Sequence, residues 1–445
     1  MTDHILITPL VVEYAALSSL KEYPGNPRQH SHKQIVQITR SIEHFGFINP
    51  ILIDEQNEII AGHARCAAAH AAHMEKVPVI RLKHLSPAQK KAYRIADNRL
   101  TELGTWSIEL LQTEFKAIEE LHLDVPLTLT GYDMGDIDLI LEGEQREADP
   151  KTNQIPFIAD GDIVSREGDL WQLGAHRLIC GNSLQEETLR ALMEDKKADM
   201  VFADPPYNVK INGHVCGAGS VKHDEFKFAS GEMTSEQFTH FLRTAFERLC
   251  AFSKSGSLHY ICMDWRHIKE MVTAGEVYDQ FKNLCVWRKN NAGMGSFYRS
   301  QHELVFMFKH GTEPHINNVE LGIHGRYRTN VWCYPSVNTP GEENTEKRSM
   351  HPTVKPVEMI KDAILDASNR GGLVLDSFLG SGSTLIAAEK AGRICYGVEL
   401  EPKYVDTAIR RYEGLGGGRT AVHLPSGQTY QELLAEKRRE AAHVE

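Results

Sequence analysis

Short, mainly apolar runs that end at turn-forming residues alternate with helical periodicity in the second part of this chain. Met200–Ala203, Leu373–Leu375 and Ile394–Val398 are runs typical of buried strands. Ser383–Ala391 has the pattern of a helix that connects the last two of them. This succession of strand, turn, helix and strand predicts an α/β fold built on a Rossmann-like sheet.

The first 150 residues have a different pattern, which predicts a small α+β domain. Ser31 is placed to cap a helix that Gly46 ends. Pro50–Ile53 and Glu58–Ile60 predict a hairpin around a polar turn. The further predicted elements are a helix that opens at Gly62, a strand at Val77–Ile80, a helix from Ser86 to Asn98 and a helix at Ser107–Leu123.

Charge and glycine content mark the connecting segments. Asp133–Asp149 is acidic with a helical start, and Glu142–Gln154 has the composition of a linker, so we place the domain boundary near 150 to 158. Towards the C-terminus, Gly414–Gly418 predicts a flexible break, and Gln428–Ala442 predicts a short charged helix.

Composition limits the class of protein. A chain of 445 residues with 41% hydrophobic content has room for two or three domains. No run reaches the roughly 18 apolar residues of a membrane span, and the N-terminus lacks the pattern of a secretory signal. The 8 cysteines are scattered without a Cys-x-x-Cys pair. We therefore expect reduced thiols, no metal site and a cytoplasmic protein.

The net charge of −11 hides a basic segment. Residues 282–356 carry ten Lys or Arg and six acids, which is +4 against −15 for the remainder (−11 minus +4). Tyrosine and tryptophan side chains are interspersed among these basic residues. Such a mixture is typical of phosphate contact and base readout, although a solvated connecting region has the same composition.

The tetrapeptide Asp204-Pro205-Pro206-Tyr207 directly follows the first apolar run. Proline cannot donate to a sheet ladder, so the strand must stop here. An acid, a carbonyl and an aromatic ring then project together from the carboxyl end of a strand, where α/β sheets bind ligands. These groups can accept hydrogens from a planar amino group while the ring stacks on the attached base. The bland alternative is a strand end followed by a proline turn.

The second chemical motif is the glycine turn Phe378–Gly382. It lies between the second strand and the helix, and Glu399 follows Asp376 by 23 residues (399 minus 376). An acid at about this spacing binds ribose hydroxyls in nucleotide-binding folds. Leu385 occupies the place of a third glycine, so a pyrophosphate cradle is not indicated. A nucleoside without phosphates, such as S-adenosylmethionine, suits the pattern better.

Together these motifs resemble the β class of amino-group DNA methyltransferases, over residues 160 to 413. Asp204–Tyr207 resembles the catalytic motif, Phe378–Gly382 the cofactor motif, and His351–Pro356 the segment that precedes it. Gly168–Asn182 resembles the lead-in to the catalytic strand, and the family's further strands match Val286–Lys289 and His302–Phe306. One departure is Asn182, where the family usually has Asp.

The resemblance implies N6 methylation of adenine in double-stranded DNA, with S-adenosyl-L-methionine as cofactor and the target base flipped out of the helix. The implied catalytic residues are Asp204, Pro205, Pro206 and Tyr207. The implied cofactor residues are Asn182, Asp204, Thr353, Lys355, Asp376, Phe378, Gly380, Gly382 and Glu399. The DNA contacts we expect are Tyr207, Arg288, Lys289, Arg299, Arg326 and Arg328, mostly within a target-recognition region of about 288–350.

The N-terminal pattern resembles the ParB/sulfiredoxin-like domain over about residues 5 to 100. In that family a glycine and an arginine at a helix start bind phosphates, and Gly62 and Arg65 match them. His63 stands where sulfiredoxins have their cysteine, which argues against peroxiredoxin repair. A structural ion pair of Arg65 and a nucleotide or DNA-phosphate site remain equal alternatives.

The two resemblances divide the chain into four parts: a ParB/sulfiredoxin-like domain (5–100), a helical segment with an acidic linker (101–155), a methyltransferase domain (156–415) and a tail (416–445). Two other functions stay open: N4 methylation of cytosine, and a ParB-like DNA-binding regulator with an inactive methyltransferase fold. The sequence also leaves open the recognition sequence, a partner restriction enzyme and the oligomeric state, for which a homodimer is one alternative.

Overall fold

The computed structural model of the protein describes residues 9–121, 125–143, 150–209, 231–292, 297–320, 328–336 and 354–444. The chain divides into two compact units, Met1–Gln145 and Arg146–Glu445. Each unit has its own hydrophobic core. The larger unit is α/β and the smaller is α+β, so the predicted fold class is confirmed.

The N-terminal unit follows the predicted order of elements. In its described residues these are β1 (Val12–Ala16), α1 (His32–Phe45), β2 (Ile51–Ile53), β3 (Ile59–Ala61), α2 (His63–Ala71), β4 (Lys76–Arg81), α3 (Pro87–Thr101), α4 (Ile108–Glu120) and α5 (Met134–Glu142). The strands form one sheet in the order β1-β4-β2-β3, in which β2 and β3 are the predicted antiparallel hairpin. Ser31 Oγ accepts the N–H of Gln34 at 3.1 Å, and Gly46 ends α1 with φ 83°, as predicted.

In its described residues the larger unit has one ten-stranded sheet. Its elements among the described residues are β5 (Leu170–Leu173), β6 (His176–Cys180), α6 (Glu186–Met193), β7 (Ala198–Ala203), α7 (Ser235–Ala251), β8 (Ser253–Met263), α8 (Ile268–Ala274), β9 (Gln280–Arg288), β10 (His302–Lys309), β11 (Val331–Cys333), α9 (Val357–Ala367), β12 (Leu373–Asp376), α10 (Ser383–Lys390), β13 (Ile394–Glu399), α11 (Pro402–Gly414), β14 (Ala421–His423) and α12 (Tyr430–Val444). The predicted strands at β7, β12 and β13 are confirmed.

The central strands are buried on both faces. Met200 and Phe202 of β7 pack into one core cluster, while Val201 and Ala203 pack into a second cluster. Successive side chains of a strand point to opposite faces, so the sheet lies between these two cores. This burial explains why the strand has a continuous apolar run instead of an alternating one.

The strand order places several chain segments at one edge of the sheet. The order is β11-β9-β10-β8-β7-β12-β13-β6-β5-β14. Strands β8, β7, β12, β13 and β6 run parallel, so their carboxyl ends meet at an edge that we call the carboxyl edge. Because β10 is antiparallel to β8 and β9, its first residues also lie there. The chain leaves β7 towards β8 and β12 towards β13, in opposite directions, which is where such sheets form a ligand crevice.

The expected linker is packed at its C-terminal end. Pro150–Asn153 forms a short 3₁₀ helix, and Thr152 is only 7% exposed. The Thr152 carbonyl accepts a hydrogen bond from Arg411 of α11, and the Asn153 side chain accepts one from the backbone of Val357 at the start of α9. Thr152 and Asn153 are therefore held against the C-terminal third of the larger unit.

Seven cysteines lie in the part of the chain that the structure describes, and all are free, most of them buried. Five of the seven are buried, as expected for most of the cysteines, whereas Cys250 is partly buried and Cys333 is exposed. In the same part of the chain, no helix is both long and apolar enough to cross a membrane.

Candidate active site

Two prolines end β7 and direct the following side chains out of the sheet at the carboxyl edge. Asn208 completes the turn with φ 51°. Its side-chain amide donates to the Met233 carbonyl (2.9 Å) and accepts from the Met233 N–H (3.2 Å). Asn208 was not singled out from the sequence. It joins the residues after the tetrapeptide to the start of α7.

Asp204 makes two direct contacts through its two carboxylate oxygens. Oδ2 lies 2.6 Å from the ammonium nitrogen of Lys355, which immediately precedes the N-cap of α9. Oδ1 accepts the Tyr207 hydroxyl at 2.8 Å. Lys355 also lies 5.2 Å above the Tyr207 ring centroid. Lys355, which we expected to bind the cofactor, is a direct partner of the expected catalytic acid.

Glu303 completes the arrangement, and sequence reasoning missed it. It lies near the start of β10, where its Oε2 is 3.2 Å from Lys355 Nζ and accepts the Tyr207 hydroxyl at 3.1 Å. Its Oε1 binds the ammonium of Lys289, which follows β9, at 2.5 Å. The only signal in the sequence was an acid inside an otherwise apolar strand, since buried acids are rare without partners.

The four charged groups, Asp204, Glu303, Lys289 and Lys355, form a cluster with Tyr207 that we call the edge cluster. Its formal charge is zero. Burial alone would raise the pKa of Glu303, but the two ammonium groups hold it at about 2. Burial raises the pKa of Asp204, and Lys355 only partly opposes this rise. Asp204 is therefore the carboxylate whose charge is less well stabilised.

Asp204 is also the most accessible of the three central groups. Its side chain is 24% exposed, against 4% for Lys355 and 11% for Glu303. A ligand at the carboxyl edge can therefore reach Asp204, whereas the side chains of Lys355 and Glu303 are more deeply buried.

The glycine turn lies beside this cluster, because β12 is the neighbour of β7. Gly382, with φ 88°, begins α10, and a Cβ there would lie 2.7 Å from the Cβ of Ala408 on α11. The Gly380 N–H donates to Glu399 Oε2 at 2.7 Å, and the Glu401 N–H donates to Oε1 at 2.8 Å. Position 382 requires glycine both for its backbone conformation and because α10 and α11 approach each other closely there.

Two acids flank the turn. Asp376 Oδ1 accepts the Phe378 N–H at 2.9 Å at the end of β12, and Glu399 ends β13. Burial raises the pKa of each carboxyl to about 7. The Phe378 ring is half-buried and packs 6.0 Å from the Phe241 ring. Carboxyl groups beside a turn disfavour phosphate and favour hydroxyl or cationic partners, so the site suits a phosphate-free nucleoside.

Asn182 lies at the same edge, after β6. Its Oδ1 accepts the Leu184 N–H at 3.0 Å, while its side-chain nitrogen can still donate to a ligand. The structure thus brings Asn182, Asp204, Lys355, Asp376, Phe378, Gly380, Gly382 and Glu399 to the carboxyl edge. Thr353 lies outside the described residues.

The expected DNA contacts have different environments. Arg288 and Arg299 are exposed, and Arg299 donates to the Ala292 carbonyl. Arg328 donates to Asp362 and Asp366 of α9, both at 2.9 Å. Lys289 is bound to Glu303. The carboxylate partners of Lys289 and Arg328 argue against the phosphate contacts that we expected of these two residues. Arg326 lies outside the described residues.

In the N-terminal unit, Gly62 begins α2 with φ 101°. The Arg65 guanidinium donates to the Pro50 carbonyl at 3.4 Å rather than to a carboxylate in the described residues. Arg65 Nε and His63 Nε2 are buried without a hydrogen bond in that part of the chain. A structural ion pair of Arg65, one of the two alternatives left open by the sequence, is therefore not seen among the described residues.

Comparisons with known proteins agree with this division. The profile of a family described as DNA methylase matches residues 198–410, and that of the ParB N-terminal domain matches residues 7–99. The chain is 30% identical over 236 residues to the type II methyltransferase M2.DpnII of Streptococcus pneumoniae, which covers 50% of this chain and 84% of that protein.

Two further similarities concern single units. The ParB-like nuclease domain-containing protein YnaK of Escherichia coli K12 is 48% identical over 82 residues, 18% of this chain and 94% of that protein. A crystal structure of a putative DNA modification methylase from Thermus thermophilus, complexed with S-adenosyl-L-methionine, is 21% identical with a TM-score of 0.38. It covers 55% of this chain and 95% of the other.

Proposed function

This chain belongs to the DNA methylase family of N6 and N4 amino methyltransferases, and from this membership we propose that it methylates the N6 amine of adenine in double-stranded DNA. The observation that carries the proposal is Asp204. It is a partly exposed acid at the carboxyl edge of a parallel sheet, next to a strand that ends in a glycine turn.

The cofactor is S-adenosyl-L-methionine, whose sulfonium sulfur leaves with the C–S bonding electrons when an amine takes its methyl group. Glu399 would accept hydrogen bonds from the ribose hydroxyls of the cofactor. Phe378 would stack on the cofactor's adenine, and Asn182 would donate a hydrogen bond to the same adenine. Asp376 would lie beside the cationic end. The donor set fits this ligand, because carboxyl groups attract hydroxyls and a cation but repel phosphates.

Asp204 and the Pro205 carbonyl would accept the two hydrogens of the target amine. The lone pair of that amine is delocalised into the base, so acceptors that favour a pyramidal nitrogen make it a better nucleophile. Asp204 Oδ1 would then take the proton that the methylated nitrogen loses. Positioning and charge stabilisation supply the catalysis, and no covalent enzyme intermediate is needed.

Tyr207 would stack on the target base, held in line by Pro206. In a duplex the amine cannot reach a buried donor, so the base must leave the helix first. Arg288 and Arg299 are exposed and suited to phosphate contact in a target-recognition region of about 288–350. The domain limits of 5–100 and 156–415 stay predictions; the compact units of the structure, 1–145 and 146–445, are wider.

N4 methylation of cytosine uses the same acceptors and is the second candidate. A labelling experiment separates the two: the purified protein methylates genomic DNA with labelled cofactor, and the DNA is digested to nucleosides. Label in N6-methyl-2′-deoxyadenosine supports the proposal, and label in N4-methyl-2′-deoxycytidine supports the second candidate instead. Absence of label from every nucleoside would favour the ParB-like regulator with an inactive methyltransferase fold.

For the N-terminal unit we infer that Gly62 and Arg65 form a phosphate site, for a nucleotide or for DNA. Arg65 Nε and His63 Nε2 are buried and have no hydrogen-bond partner among the described residues, which favours this role because buried polar groups normally have partners. Calorimetry with the four ribonucleoside triphosphates, and DNA binding at several salt concentrations, would test it. Arg65→Ala should remove the signal in one of the two assays; unchanged results in both would leave protein binding as the simplest role.

A further inference from the structure

The edge cluster is a closed ring of contacts around Asp204. Asp204 binds Lys355 and Tyr207, and Glu303 binds the same two groups from the other side, at 3.2 and 3.1 Å. A phenol has one hydrogen, so the Tyr207 hydroxyl must share it between the two carboxylates or donate to one at a time. The ring therefore has two arrangements of nearly equal geometry.

We propose that Glu303 is a positioning residue for methyl transfer: it tethers Lys355 and gives the Tyr207 hydroxyl a second acceptor, so that Asp204 can offer Oδ1 to the target amine. This inference rests on the proposed function, in which Asp204 binds that amine. It assigns Lys355 to the charge balance of the acid instead of to the cofactor.

The argument begins with what happens when an amine arrives. Oδ1 of Asp204 is engaged by Tyr207 at 2.8 Å, and Oδ2 by Lys355 at 2.6 Å. An amine that needs Oδ1 must displace the hydroxyl or share the oxygen with it. Displacement into a buried space without another acceptor would leave the hydroxyl unsatisfied, which is unfavourable for a buried polar group. Glu303 Oε2 removes that cost, because it already lies within hydrogen-bond distance.

Glu303 itself is fixed by its neighbours. Lys289 holds its other oxygen, and Lys289 in turn lies 4.7 Å from the Trp287 ring of β9. Glu303 pairs with Trp287 across the β9–β10 ladder, so the strands themselves set its height at the carboxyl edge. Its position does not depend on a ligand, as a preorganised support requires.

The charges predict the direction of a pH effect. Besides Lys355, Glu303 and Tyr207, the titratable groups that act on Asp204 or respond to it are Cys262 of β8 and Asp376 of β12. Glu303 raises the pKa of Asp204 and Lys355 lowers it. Loss of the Glu303 charge should therefore move the acidic limb of the rate profile to lower pH, and loss of the Lys355 charge should move it to higher pH.

The test uses the full-length protein with saturating DNA and cofactor and measures the single-turnover rate of methyl transfer from pH 5 to 9. Glu303→Gln should be about tenfold to a hundredfold slower, with cofactor affinity within about twofold of the parent. Its acidic limb should shift down, and that of Lys355→Met should shift up, each by about one pH unit. Asp366→Asn is the matched control, a buried acid of the same unit whose partner is Arg328; its limb should not move.

A slow Glu303→Gln variant with an unmoved limb would mean a purely structural role and would overturn the inference, as would a variant with the parent's rate. If Glu303→Gln does not fold, Lys355→Met decides alone: an unmoved limb, or a large loss of cofactor affinity, overturns the inference. The parent protein and Asp204→Asn together separate the two proposals. A parent protein that transfers no methyl group to adenine refutes the proposed function itself. An active Asp204→Asn refutes the role of Asp204 on which the inference rests, whereas an inactive one leaves only the role of Glu303 in question.

Discussion

Asp204 combines three properties that its neighbours do not share: access to a ligand, a position directly after β7, and a charge that burial destabilises. A carboxylate in this state gains most from a partner that brings hydrogen-bond donors. Glu303, with a pKa of about 2, is in contrast saturated by its two lysines. The two acids are close together but suited to different tasks.

Replacement of Asp204 by Ala should lower the methylation rate by orders of magnitude. The cofactor should still bind, because the glycine turn and Glu399 lie on other strands. Labelled methyl transfer measures the first effect and calorimetry the second. Near-normal turnover in this variant would contradict the assignment of Asp204. Loss of cofactor binding would place Asp204 in the cofactor pocket instead.

Asp376 and Glu399 should make stability fall as the pH rises. Their folded pKa values, about 7, lie above their ordinary values of 3.8 and 4.5, so the native state keeps protons that the unfolded chain releases. Their contribution is fully present below about pH 4 and is lost as the pH rises through about 7. In urea unfolding from pH 5 to 8, the unfolding free energy of Asp376→Asn should rise relative to that of the parent as the pH increases. A flat difference would count against the raised pKa of Asp376.

At the scale of elements, the strands that carry the site were predictable, and their mutual contacts were not. Apolar runs indicate β7, β12 and β13 because these strands are buried on both faces. Glu303 was missed because its partners come from separate places: Tyr207 after β7, Lys289 after β9, and Lys355 before α9. Only the antiparallel pairing of β10 brings them together.

The same limitation explains Arg328, whose basic character alone predicted a DNA contact. Arg328→Ala should lower the unfolding free energy by about 1–3 kcal/mol, since it leaves Asp362 and Asp366 without their common partner. It should not change the salt dependence of DNA binding. The exposed Arg299 is the matched comparison: Arg299→Ala should reduce the slope of log K against log salt by about 1. Urea unfolding measures the loss of stability, and binding titrations at several salt concentrations measure the slope. A reduced slope for Arg328→Ala with unchanged stability would show that Arg328 contacts DNA.

At the scale of the whole molecule, the position of the unit boundary has a measurable effect. A fragment of residues 146–445 keeps Thr152 and Asn153, whereas a fragment of residues 155–445 loses both. The shorter fragment removes one of the acceptors of the buried Arg411, which still donates to Ser381 and Ser383, and the acceptor of the Val357 N–H at the start of α9. It should therefore be less stable by about 1–3 kcal/mol. Urea unfolding of the two fragments measures this difference. Equal stabilities would show that the contacts of residues 150–153 contribute nothing.

The strand order also has a consequence for how the protein is made. Strands β12 and β13 lie between β7 and β6, yet the ribosome adds them about 170 residues after β7 (373 minus 203). At about 5–20 residues per second, the inner edge of β7 stays unpaired for roughly 10–35 seconds during synthesis. The inner edge of β6 waits for β13, 214 residues later (394 minus 180), which takes roughly 10–45 seconds. Unpaired strand edges recruit other chains. The nascent protein should therefore depend on chaperones during this interval. Faster translation of the last third of the chain should shorten the interval and increase the yield of soluble protein.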